Sequence, residues 1–169
     1  MRLALAVLIP LGAALLQGTV APLVAIGDAR PSLPILVAGS WAVAAGAREA
    51  VWWAFLGGLA SDLLSGGPLG AFALAALPPV AAIGVRERGS TRPTSIAVGA
   101  LLVGIAALVA ALLYLGILLV TAQPVGSVPL AAGSAMASAI YTGLLAVAIY
   151  PAARLVRRAT EKQGALGVW

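Results

Sequence analysis

The stretch GGLASDLLSGGPLGAFAL, Gly57 to Leu74, sets one carboxylate, Asp62, inside a long apolar run. The nearest basic residues along the chain are Arg48 and Arg86, too distant to pair with it within one helix. Gly66, Gly67, Pro68 and Gly70 interrupt the run where an apolar helix would otherwise continue. A charge at the centre of a membrane helix costs roughly 2.5–3.5 kcal/mol on insertion scales, so an acid there calls for a role. A helix entering at Ala50 carries Asp62 about 18 Å further on, close to the far headgroups, where the cost is smaller. A structural role is at hand. Gly67-Pro68 reads as the start of the next helix, with proline in its first position. The free N–H groups of that helix point back at a carboxylate able to accept them. A contact to a partner or ligand and a proton relay remain as alternatives.

Composition sets the solvent. Of 169 residues, 62% are hydrophobic and 9% charged, and the mean hydropathy is +1.09. A soluble domain carries about a quarter charged residues, so the expected class is an all-α polytopic membrane protein. Charges and turn residues divide the chain into six apolar stretches, 3–26, 32–47, 50–64, 69–85, 95–122 and 129–153, with a basic tail at 154–169. Spanning segments must satisfy their own backbone in lipid, and the weak period-2 alternation argues against barrel strands. The expectation is a single integral membrane domain over 1–169. The second to fourth stretches are short, so they stand nearly upright, thin the bilayer or pack around an irregular centre. The charges fit 50–85 either as two spans, which suit its 36 residues better, or as a re-entrant pair.

The net charge of +5 is not a nucleic-acid signal, because the basic residues sort by alternate loops. Arg2, Arg48, Arg86, Arg88, Arg92, Arg154, Arg157, Arg158 and Lys162 fall on one side, and only Arg30 of the ten falls on the other. The positive-inside rule then places both termini in the cytoplasm. Cleavage of the first stretch as a signal peptide is disfavoured, since Pro22 would follow the cut at Val20-Ala21 and the apolar run continues to Ile26. The tail is able to extend the last helix and lie on anionic lipid.

Chemistry is sparse. The chain has no cysteine and no histidine, which removes disulfides, thiolates, imidazole bases and nearly every transition-metal site. Asp28, Glu49, Glu87 and Glu161 fall in loops or the tail near arginines, which leaves Asp62 alone. One carboxylate makes a poor active site, so neither catalysis nor a cofactor or metal is expected. Small residues point to packing instead. Gly57 with Ser61 and Gly58 with Asp62, at i,i+4 spacing, flatten one face of the third helix. Gly133/Ala137 and Ser134/Ser138 repeat the device in the last helix, and internal bundle packing is the expected use of both.

The extended stretch GGLASDLLSGGPLGAFALAAL resembles the signature of the MreD family, the membrane-embedded rod shape-determining proteins of bacteria. Gly58, Leu59, Asp62, Leu63, Ser65, Gly66, Pro68, Leu69, Gly70, Ala73 and Leu74 fill its positions. Upstream, LLQGTVAPLVAIGDARPSLPIL is similar to the family's first hairpin through Leu16-Gln17, Thr19, Pro22 and Arg30-Pro31. Ser32 stands where the family more usually has Asp, which removes one outer charge. The resemblance covers Leu15–Arg88, and the last two helices agree in hydropathy alone. It implies a non-enzymatic protein of the inner (cytoplasmic) membrane that helps scaffold lateral peptidoglycan synthesis. The implied partners are an MreC-like periplasmic scaffold, RodA, a class B penicillin-binding protein and MreB filaments, with membrane lipid around them. The implied fold is similar to the six-helix substrate-binding subunits of energy-coupling-factor transporters. A small-molecule (vitamin) binding subunit is therefore the alternative function, weakened by nine aromatics and few polar groups in the apolar stretches.

Overall fold

The computed structural model describes residues 2–88 and 94–166. The described residues form six helices: α1 Arg2–Thr19, α2 Leu33–Ala45, α3 Ala47–Ser65, α4 Ala71–Arg88, α5 Ile96–Val120 and α6 Val128–Leu166. Among them there is no strand, only an isolated bridge between Ile26 and Ala29. Arg92, one of the basic residues sorted above, lies outside the described residues, as does the end of the tail.

Two helices, Ile96–Val120 and Val128–Thr160, are long and apolar enough to cross a membrane, and Ala4–Thr19 and Leu33–Ala45 are shorter apolar helices. The core is alanine, as at Ala42, Ala50, Ala54, Ala76, Ala106 and Ala110, while leucines such as Leu8, Leu101, Leu130 and Leu144 are more than 60% exposed. Small residues let helices approach closely, and large side chains left outside need a non-aqueous cover.

At the centre stands α2. Pro34–Leu36 and Ala38–Ala44 are all buried, and each of the other five helices packs on it. A helix that is apolar all round belongs inside, and this one spans about 20 Å. Around it, α3 and α4 form one hairpin and α5 and α6 another. The second closes where Gly104 and Gly143 bring their backbones together.

Several boundaries depart from the sequence reading. The first helix stops at Thr19, not Ile26. Pro22 has no N–H to donate and disfavours helical backbone at the residue before it. The chain instead turns at Gly27-Asp28, where Ile26 and Ala29 exchange N–H···O bonds of 3.1 Å. The predicted gap between the second and third helices shrinks to Gly46, and α3 begins at Ala47, not Ala50. Helix α4 begins at Ala71, so Pro68 is not its first residue and Leu69 lies in a turn. The last helix runs past the apolar stretch ending at Ala153 to Leu166, so the tail does extend it.

Gly46 has φ 90° and ψ −177°, a region essentially closed to other residues. Gly46→Ala is expected to lower bundle stability in detergent by about 1–3 kcal/mol. Gly116→Ala, on open helix surface with nothing within 4 Å, should leave the unfolding midpoint unchanged or slightly raised.

Candidate functional site: two helix starts capped from the preceding helix

The Asp62 side chain is 1% exposed, at the last full turn of α3. Its Oδ1 accepts the N–H of Phe72 at 3.1 Å, and Oδ2 accepts those of Phe72 and Ala73 at 3.2 and 3.3 Å. These are free donors of the first turn of α4, which has no hydrogen-bonding side chain of its own before it. Asp62 is thus a buried acceptor.

The residues between Asp62 and Phe72 shape the approach. Gly66 ends α3 in the left-handed conformation, at φ 68°. Ser65 Oγ donates to the Asp62 carbonyl at 3.2 Å and accepts a long 3.5 Å bond from Gly67 N–H. The Ala71 N–H then donates to the Pro68 carbonyl at 3.1 Å across Leu69 and Gly70, with Gly70 at φ 84°. Positive φ at the third residue is the signature of a type II turn, which glycine suits. Pro68 therefore opens the turn. Leu69 is exposed, as are Leu63 and Leu64. The Tyr114 ring of α5 meets Phe72 edge-on, with centroids 5.8 Å apart.

The i,i+4 pairs divide in use. A methyl group on Gly58 would lie 2.5 Å from Ala73 Cα, so Gly58 is where α3 touches α4 beside the cap. At the other end of the same hairpin, Gly84 presses on Ala47, with a would-be methyl 2.3 Å from its Cα. Sequence reasoning missed Gly84, which has no small partner at i−4 or i+4 in a run of alanine and valine. Gly57 meets Pro10 and Pro34 at ordinary contact distance, and Ser61 Oγ donates back to the Gly57 carbonyl at 2.8 Å. In the last helix internal packing does not hold for Gly133 and Ala137. Both are exposed, with nothing within 4 Å of Gly133.

Gln17, Arg30 and Pro31 form a second cluster at the same end of the bundle. Gln17 Oε1, near the end of α1, accepts the N–H of Leu33, the first residue of α2, at 2.7 Å. Helix α6 takes the two donors before it. Arg30 N–H donates to Ser138 Oγ at 3.0 Å and Ser32 N–H to Thr142 Oγ1 at 2.9 Å. Tyr141 OH donates to the Val24 carbonyl at 3.0 Å, and Pro31 is fully buried. The Arg30 side chain is exposed. Ser32 makes no cap of its own, and its Oγ is buried without a partner among the described residues. Helices α2 and α4 thus share one arrangement, an acceptor near the end of the preceding helix holding the first N–H groups of the next.

Asp62→Ala should destabilise the bundle in detergent by about 1–3 kcal/mol, the cost of unsatisfied buried donors. Asp62→Asn keeps one acceptor oxygen and should fall between the parent and the alanine variant. Pro68→Ala should cost less than Asp62→Ala. Gly58→Ala is expected to cost about 1–3 kcal/mol through overpacking, with Gly57→Ala close to neutral. Chemical unfolding of the parent and the five variants in one detergent checks the order.

No curated protein and no solved structure matches the chain. The family model described as rod shape-determining protein MreD matches residues 1–156, which takes in both capped hairpins and α5 and nearly all of the apolar part of α6. The chain therefore belongs to the MreD family of rod shape-determining bacterial membrane proteins.

Proposed function

We propose that this protein is a six-span membrane scaffold of the elongation complex, a single integral domain with both termini in the cytoplasm. In this reading it helps position lateral peptidoglycan synthesis through an MreC-like partner, and with it RodA, a class B penicillin-binding protein and MreB filaments. Family membership supplies the cell-shape role. The observation that carries the rest is the distribution of large side chains. Leu15 and Leu16 on α1, Trp52 and Leu63 on α3, and Leu74 and Val85 on α4 stand as exposed as the leucines of α5 and α6. Lipid covering only two helices would leave these in water. The α3–α4 pair also reads as two antiparallel helices of 19 and 18 residues, each about 27–28 Å long, rather than a shallow dip.

Orientation rests on charge. Arg48, beside Gly46, and Arg157, whose Nη1 donates to the Ala44 carbonyl, lie at one end of the bundle. The two capped turns lie at the other. The basic end faces the cytoplasm and the capped turns face the periplasm, where Leu63, Leu64 and Leu69 around the Asp62 turn offer a surface to a periplasmic scaffold. Asp62 acts by holding that turn rather than by chemistry.

Reporter fusions after Lys162 should report cytoplasm and fusions within Gln123–Val128 should report the outside. A cytoplasmic signal from the latter refutes six spans. Depleting the protein in a rod-shaped host should give rounded cells, and affinity capture from that membrane should recover the MreC-like partner. Normal rods with a vitamin-uptake defect would favour the transporter subunit instead.

A further inference from the structure

At the basic end a cavity of about 480 Å³ opens between α1 and α6, floored by the α2–α3 junction. One wall is apolar, formed by Leu5 and Ile9 of α1 and Val156 of α6. Leu8, one turn along α1 from Leu5, and Leu155, next to Val156 on α6, are both 65% exposed on the same helices. The other wall is polar. Among the described residues it carries Arg48 and Arg157, the latter also donating to the Ala44 carbonyl, and the acid Glu49, whose Oε2 already accepts the Trp41 indole N–H at 3.0 Å. Trp53 stacks on Trp41 with centroids 4.5 Å apart and also lines the cavity. Trp53 is 5% exposed, and its Nε1 is a buried donor with no acceptor among the described residues.

We propose that this cavity binds an anionic phospholipid of the surrounding leaflet, with the phosphodiester between Arg48 and Arg157 and an acyl chain along Leu5, Ile9 and Val156. The charge complementarity selects an anion, and the apolar wall leading to the lipid-facing surface selects one carrying a hydrocarbon chain. Basic pockets between membrane helices on the cytoplasmic side take lipid headgroups for these reasons. The inference rests on the membrane reading above but not on the orientation, because the test places the same lipid in both leaflets.

The experiment uses the full chain in nanodiscs, in a Trp52→Phe/Trp169→Phe background, so that fluorescence reports only Trp41 and Trp53. Brominated phosphatidylglycerol is titrated into an unlabelled matrix, with brominated phosphatidylcholine in parallel. Phosphatidylglycerol should quench at a mole fraction about fivefold lower or better, and Arg48→Gln should weaken that preference about fivefold. Arg48→Lys should retain it. Arg158→Gln, which removes a nearby charge that does not line the cavity, should change it little. Equal quenching by the two lipids overturns the proposal. Equal losses in Arg48→Gln and Arg158→Gln also overturn it, since they would mean diffuse surface attraction. Abolition of the phosphatidylglycerol preference by added inorganic phosphate, at matched ionic strength, would assign the site to a free anion and overturn it as well. Loss of the six-span topology would show in the reporter fusions, independently of any of these.

Discussion

In hydrocarbon, a helix cannot leave the N–H groups of its first turn unpaired, and the start of every helix is where this constraint is hardest to meet. The solution at α2 and α4 is an acceptor near the end of the preceding helix. Gln17 serves Leu33, and Asp62 serves Phe72 and Ala73. A local N-cap would fix only the helix that carries it. A cap from the neighbouring helix also fixes how the two helices stand against each other. Gly58 lets α3 close on α4 where Asp62 reaches across, and Gly84 repeats the contact at the far end. The hairpin is thus held by two backbone contacts and a short buried set of hydrogen bonds, with no ion pair needed at Asp62.

The interior follows from the same constraint. Lipid is as apolar as leucine, so packing large side chains inward gains little over leaving them outside. Alanine and glycine occupy the interior because they allow backbones to approach, and leucine is left to the surface. The two stacked tryptophans at the basic end are the largest departure, and they sit where a cavity interrupts that close packing.

Much of this was legible in the sequence, and the misses have physical causes. Hydropathy and charge gave the number of helices, and the isolated Asp62 followed by a glycine-proline turn marked a helix start needing an acceptor. Pro68 misled because proline suits the first residue of a helix, whereas here it precedes Leu69 and Gly70, and Gly70 at φ 84° makes a type II turn before the helix begins. The run to Ile26 looked helical because apolarity alone does not report where N–H groups are lost, and Pro22 was the signal to weigh. Gly46 was invisible because a one-residue break with positive φ leaves no mark on hydropathy. Gln17 came to notice through family resemblance, since its acceptor role depends on a contact 16 residues along the chain. Nothing local to Ser138 and Thr142 pointed to the hairpin more than a hundred residues before them.

Gly46 has a mechanical consequence. With one residue between them, α2 and α3 have no slack, and the pair behaves as a single bent lever. The start of α2 is tied to Gln17, Ser138 and Thr142, and the end of α3 is tied to the first turn of α4. A load applied at the basic end, where the two arms join, is therefore delivered to both turns at the opposite end together. The longer 121–127 segment between α5 and α6 has slack to absorb such a load. The central helix is thus the stiff connection between the two ends of the bundle.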